Sequence, residues 1–269
     1  MKLPLLTVFL WVLIAPVFSQ NNNQLGARSA AMGNSSVAIS DLWSVHHNQA
    51  GLAGLDKMQA GIYYENRFLI PELSLKGLAL AMPVKNGVFG LSVSQFGFAL
   101  YNESKVGLSY AQKLGEKVSA GVQLDYLNTF IAEGYGNKGM ITGEAGVQAE
   151  LAPGLTIGAH IFNPFRVKLA THNNERIPTI MRLGLNYEIS NKVLICAETL
   201  KDTDHKPVFR AGLEYNVIEQ LYLRAGISSN PGMHTFGFGL NLKHFKIDFA
   251  SSIHSVLGYS PMVSINYTF

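Results

Sequence analysis

From Lys57 to Phe269 the chain is a succession of apolar and polar positions alternating with period two, interrupted at intervals by Gly, Pro, Asn or Asp. Successive side chains of an extended chain point to opposite faces, so this pattern predicts strands; the 3.6-residue repeat of a helix is missing. The clearest segment is Val118 to Phe130, with Val118, Ala120, Val122, Leu124, Tyr126 and Phe130 on one face. Ser119, Gly121, Gln123, Asp125 and Thr129 occupy the other. Met181 to Ile189 and Phe209 to Val217 repeat the arrangement.

Fourteen segments of this kind fit between residues 57 and 269, joined by connections that alternate in length. Short ones fall at Lys85-Asn86, Gly115-Glu116, Pro153-Gly154, Ser190-Asn191, Ile218-Glu219 and Lys243-His244. Longer ones lie between them, at Gly97 to Glu103, Ala132 to Gly139, Asn163 to Ile177, Lys201 to Lys206, Ser228 to Gly232 and His254 to Ser260. Short turns on one side and longer loops on the other are the plan of outer-membrane barrels. The sequence therefore predicts an all-β fold, a transmembrane antiparallel up-and-down β-barrel of about 14 strands. Pro71, Pro83, Pro153, Pro164, Pro178, Pro207, Pro231 and Pro261 all map to turns or strand ends, as they must where a missing N–H has no water to replace it.

The last strand ends Val263, Ile265, Tyr267 and Phe269 on one face and Ser264, Asn266 and Thr268 on the other. An aromatic residue closing such a strand is the expected signal for insertion into the bacterial cell outer membrane. The implied partners are outer-membrane lipid and the barrel assembly machinery. At the other end, Lys2 followed by the apolar run Leu5 to Val17 and small residues near Ser19 reads as a signal peptide, residues 1–19. Beyond it no run of about 20 apolar residues occurs, so strands must make any membrane crossing.

Composition narrows the function. Only 14% of residues are charged, below the ordinary share of soluble domains, as expected of a surface facing hydrocarbon. A net charge of +3 from 21 basic and 18 acidic residues gives no footing for nucleic acid. Cys196 is the only cysteine, which excludes an intramolecular disulfide and a cysteine-based zinc site. His46-His47 is a poor metal site, because adjacent residues of an extended chain point apart. His160, His234 and His254-Ser255 show no spacing that marks a nucleophile and base. No catalytic residue, metal or cofactor is expected, and the chain reads as non-enzymatic.

With the apolar faces toward lipid, the charges point inward: Asp125, Glu144, Glu150, Arg182, Glu188, Arg210, Glu214, Arg224, Lys246 and Asp248. Both signs are present, which favours a bracing network over an ion-selective pore. In that network Arg182, Arg210 and Arg224 are expected to pair with acids such as Glu188 and Glu214. Small residues share this face at Gly121, Gly146, Gly184, Gly212, Gly226, Gly237 and Gly239, leaving room inside. The candidate occupant is residues 20–56, which do not alternate and form a luminal or periplasmic plug-like segment ahead of the barrel, residues 57–269.

That segment carries a resemblance. Gly26-Ala27-Arg28-Ser29-Ala30-Ala31-Met32-Gly33, then Val37-Ala38, then Asn48-Gln49-Ala50-Gly51-Leu52, resembles the start of PorV/PorQ-like proteins of Bacteroidota, themselves similar to FadL-type barrels. The motif positions are Gly26, Arg28, Met32, Gly33, Asn48, Ala50, Gly51 and Leu52, and Gln49 stands where those families usually have proline. The resemblance implies a plug and an accessory role in surface-protein export associated with type IX secretion, with secretion-system proteins as partners. The alternative it implies is a FadL-like passive channel with a small hydrophobic ligand.

Overall fold

The structure, a computed structural model, describes residues 23–132, 136–167 and 176–269. The predicted signal peptide and residues 168–175 of the longest loop lie outside the described residues. Fourteen strands close into one barrel, each antiparallel to its neighbours, with β1 (Gln59–Asn66) paired to β14 (Gly258–Thr268). Between them run β2 (Ser74–Val84), β3 (Gly87–Gly97), β4 (Tyr101–Lys113), β5 (Val118–Ile131), β6 (Gly136–Ala152), β7 (Leu155–Phe162) and β8 (Ile180–Ser190). The circuit continues with β9 (Val193–Asp202), β10 (Val208–Ile218), β11 (Leu221–Ser229), β12 (Gly232–Leu242) and β13 (Phe245–His254). No helix among the described residues is long and apolar enough to cross a membrane.

The period-two pattern becomes the wall. Val122, Leu124, Tyr126, Leu183, Leu185, Phe209 and Leu213 face outward and are exposed, whereas Gln123, Asp125, Arg182 and Glu214 face inward and are buried. An exposed apolar face of this extent is unfavourable in water and favourable in hydrocarbon. Aromatic rings mark its two borders: Phe89, Tyr187, Tyr215 and Phe245 near the short turns, and Tyr64, Tyr126, Phe209 and Tyr259 near the long loops. Rings at these heights sit where headgroups meet acyl chains.

Several details depart from the sequence reading. The first strand begins at Gln59, and strands extend into the expected long loops, so that β11 and β12 are joined by Asn230-Pro231 alone. Continuing the ladder pairs backbone groups that a loop would leave to solvent. Pro261 is the fourth residue of β14 rather than its end. There the ladder to β1 has already stopped at Glu65 and Met262, so only β13 runs alongside. Register shifts occur at Glu150/Ala152, Glu188/Ser190 and Asn216/Ile218, all beside short turns. Elsewhere each ladder keeps one register along its paired length.

Replacing an outward residue halfway along a strand tests the facing. Leu124→Arg puts a cation at mid-bilayer and should destabilise the barrel by about 2–4 kcal/mol, read by denaturant unfolding in phospholipid vesicles. A change near zero would mean that this face does not meet lipid. The unaltered protein should also shift in gel mobility on heating, since the closed barrel resists detergent until boiled.

Candidate functional site

Residues 23–53 fill the lumen, and the wall is built to receive them. The described chain starts toward the long-loop end, where Asn23 Oδ1 accepts a hydrogen bond from Arg67 (2.8 Å) and Gln24 Oε1 one from Arg210 (2.8 Å). Helix α1 (Ala27–Ala31) lies against β11 to β14, the chain then crosses β10 to β6, and α2 (Ser44–His47) and a 3-10 turn (Gln49–Gly54) return over β2 to β6. It leaves beside the short turns to enter β1.

The inward glycines form its bed. A Cβ at Gly226 would lie 2.2 Å from the Gly33 nitrogen, one at Gly212 2.5 Å from Met32 Cβ, and one at Gly158 2.3 Å from the Val37 oxygen. At Gly121 it would meet the Gln49 backbone at 2.6 Å, and at Gly146 it would overlap Asn48 Oδ1 at 1.9 Å. Each exceeds any tolerable approach, so a side chain at these positions would expel the segment. Gly239 instead makes room for the Arg224 and Asp248 side chains.

Three wall carboxylates hold the plug by charge. Glu198 takes both Arg182 nitrogens, Nε at 2.8 Å and Nη2 at 2.9 Å, and accepts the backbone N–H groups of Ser36 and Val37, each at 2.9 Å. Arg210 adds a fifth contact at 3.3 Å, and Arg182 donates onward to the His47 carbonyl at 2.8 Å. Glu214 accepts a two-pronged contact from the plug's Arg28, at 2.9 and 2.7 Å, and one from Arg224 at 2.6 Å. Arg224 also reaches Asp248 at 2.7 Å, and Arg28 reaches Asp41 within the plug at 3.2 Å. Glu144 accepts from Gln49 at 2.7 Å, from His160 at 2.8 Å, and from Lys105, which lies 3.6 Å from Asp125. Charged pairs with these extra hydrogen bonds offset the cost of leaving water.

Neutral contacts complete the seat. Asn48 donates to the carbonyls of Val37 (2.7 Å) and Val147 (3.1 Å) and accepts from the Ala50 N–H (3.2 Å). Thr235 donates to the Ala31 carbonyl (2.8 Å) and accepts from Gly33 (2.9 Å). Trp43 donates to Asn266 at 3.0 Å, and Ser264 accepts from Ala27 at 3.3 Å, tying the plug to β14. Leu25, Leu42, Trp43, Val45 and Leu52 pack against Tyr63, Leu75, Ala79, Val88 and Ala111 of the wall.

The motif positions of the plug thereby acquire individual reasons. Gly26 has φ 107° and a Cβ there would strike Trp43 at 2.7 Å; Gly33 has φ 67° against the wall. Met32, Ala50 and Leu52 are fully buried, and a Cβ on Gly51 would meet Ser44 at 2.5 Å. Gln49, where proline is usual, supplies the hydrogen bond to Glu144. Val263, Ile265 and Tyr267 face outward on β14, and Tyr267 packs edge-on against the exposed Phe269 at 4.8 Å.

Other expected positions are corrected. Glu150 and Glu188 are exposed beside the register shifts at the short-turn rim, below the packed interior, and join no such cluster. Arg182 pairs with Glu198 rather than Glu188. Lys246 lies over the Tyr222 ring at 5.9 Å. His160 has the partner that spacing failed to reveal, Glu144. His46 and His47 sit on a helix, not an extended chain, and contact the Leu78 carbonyl and Ser29 Oγ respectively. Among the described residues no His, Cys, Asp and Glu cluster could hold a metal ion.

Toward the long-loop end, the inward face of β5 to β9 turns apolar. Leu127, Met140, Phe162 and Ile180 form a buried cluster with Ile177, flanked by Val167 and Leu200. Asn163 ties this region together, accepting from Thr142 at 2.7 Å and donating to the Ile177 carbonyl at 2.8 Å. The Phe162 ring carries the Lys105 ammonium at 5.1 Å, so the apolar cluster abuts the Glu144 group directly.

No family model and no curated protein matches the sequence. Solved structures do match in fold. The toluene transporter TbuX of Ralstonia pickettii superposes with a TM-score of 0.71 at 13% identity, covering 91% of this chain and 98% of that one. The toluene transporter TodX of P. putida gives 0.70 at 13% over the same shares, and a Pseudomonas aeruginosa FadL homologue gives 0.62 at 14%, again over 91% and 98%. At these identities the likeness is one of fold, and the PorV/PorQ resemblance is not shown by it.

Two measurements probe the latches. Glu214→Ala leaves Arg28 and Arg224 short of a partner and should cost about 3–5 kcal/mol, while Arg28→Met combined with it should cost less than the sum of the two. Simple additivity would remove the pairing. Burial and, next, the Arg182 cation lower His47 from 6.5 to about 4; burial and Lys105 lower His46 to about 3. A released plug takes up protons that the seated one refuses, so seating is strongest above pH 6.5 and weakens as pH falls from there toward about 4. Trp43, stacked on His46 at 5.9 Å, should report this as a fluorescence change, and the double variant H46Q/H47Q should flatten it.

Proposed function

We propose that the chain is a non-enzymatic outer-membrane barrel that admits small hydrophobic molecules by passive passage, held shut in this conformation by its plug. The observation that carries the reading is the apolar inward cluster around Leu127, Met140, Phe162 and Ile180. Elsewhere the larger apolar side chains turned inward, such as Leu75 and Val88, pack against the plug, whereas this cluster contains no plug residue, and a structural barrel gains little from apolar side chains at its mouth. An apolar lining suits a ligand that leaves water readily, and excludes the ions that a charged ring would select. The FadL-type fold supports the same reading, since its solved examples include toluene transporters.

The expected role in surface-protein export finds no support in these fold likenesses. Its basis was the amino-terminal motif, and each residue of that motif has a packing or hydrogen-bonding duty in the lumen. Such a motif specifies a plug, whatever the barrel passes. An outer-membrane location follows from the same reading, with the short turns facing the periplasm.

Deleting the gene decides between the two roles. The expected result is slower uptake of a small aromatic tracer such as a naphthylamine dye, with an unchanged set of surface-exposed proteins. Loss of surface proteins with normal uptake would overturn the channel. In planar bilayers the intact protein should conduct few ions, and Gly226→Val, which unseats the plug, should raise conductance severalfold.

A further inference from the structure

One groove of the barrel belongs neither to the plug nor to the lumen. It measures about 560 Å³ and opens at the short-turn end, between the β10–β11 turn, the β12–β13 turn and the end of β14. One wall is apolar and aromatic: Leu242, Phe245 and Tyr267, the two rings meeting edge to face at 4.9 Å. Gln220, Asn241 and Lys243 supply the polar residues of the lining. His244 belongs to the same lining. Its Nδ1 contacts the Thr268 carbonyl at 3.0 Å, and its ring stacks on Tyr267 at 5.9 Å.

The groove is fixed in shape. Backbone hydrogen bonds from Asn241 to the Gln220 carbonyl (2.9 Å) and from Thr268 to the His244 carbonyl (2.8 Å) tie the three segments together. Lys243 has φ 46°, the left-handed region that a lysine seldom occupies, so the turn keeps a cation where glycine would be the relaxed choice. The lining residues include this lysine and no acidic residue; Glu219 precedes Gln220 but is not among them. The groove also lies level with the aromatic border of the wall, the depth at which phosphate groups of a bilayer are found.

We infer that this groove binds the headgroup of an anionic glycerophospholipid from the leaflet on the short-turn side. The phosphodiester takes Lys243 and the amide donors, and the first acyl carbons lie along Leu242, Phe245 and Tyr267. This assignment stands apart from what the barrel transports, because the lining is made of turn and strand-end residues at the short-turn rim, none of them in the plug. A diffuse attraction between a basic rim and anionic lipid would act equally through every turn lysine. A built groove acts through one.

The test is native mass spectrometry of the intact detergent-solubilised protein, titrated with dioleoylphosphatidylglycerol and with dioleoylphosphatidylcholine. The expected result is one tightly retained phosphatidylglycerol, with phosphatidylcholine held more weakly. Lys243→Gly, which removes the cation while relaxing the turn, should weaken retention about fivefold. Lys243→Arg should keep it, and Lys192→Ala, in the β8–β9 turn outside the groove, should leave it unchanged. Equal losses in K243G and K192A would show diffuse attraction and overturn the site. Equal retention of the two lipids would do the same, as would displacement by millimolar inorganic phosphate, which would mark a free-anion site.

Discussion

A backbone amide surrounded by hydrocarbon has no water to bond to, and leaving one unpaired costs several kcal/mol. Every other property of this protein answers to that constraint. It forces the fourteen strands to close, because an open sheet would present two unpaired edges to lipid. Closure fixes which side of each strand meets lipid, and so turns the period-two pattern into an inside and an outside. The interior must then be filled or wetted. Here it is filled by the chain itself, and the lumen becomes a protein core with charged walls.

Packing a plug against such walls changes what the inward charges are for. In a water-filled pore, Glu198 and Glu214 would be solvated and would select ions. Against the plug they are nearly dry, and each is satisfied by arginines together with groups of the inserted chain. The same carboxylates therefore brace the wall and anchor the plug. An apolar cluster next to the Glu144 group places the region suited to a hydrophobic guest against one of the anchors.

How much of this the sequence discloses depends on the range of each interaction. Strand number, facing and the glycine bed are legible because they follow from a two-residue period that neighbours enforce. Arg182, Arg210, Glu214, Arg224 and Asp248 were recognisable as inward for the same reason. Their partners were not, since Arg182 to Glu198 depends on the pairing of β8 with β9, and Arg28 to Glu214 joins residues 186 apart. Glu150 and Glu188 have the right parity, but they stand near the short-turn ends of their strands, and parity carries no information about height. The sequence offers no partner for His160 and no role for Lys105, because an isolated titratable residue on a strand shows its role only when the neighbouring strands supply the rest of the cluster.

The ties between plug and last strand bear on the closure of the barrel. Ala27 meets Ser264 and Trp43 meets Asn266, contacts spanning 237 and 223 residues of chain. Those partners belong to β14, the strand that seals the barrel against β1. The plug and the seam are therefore coupled: whatever unseats the one withdraws support from the strand that closes the other. A segment that obstructs the lumen is thereby also part of what keeps the cylinder closed.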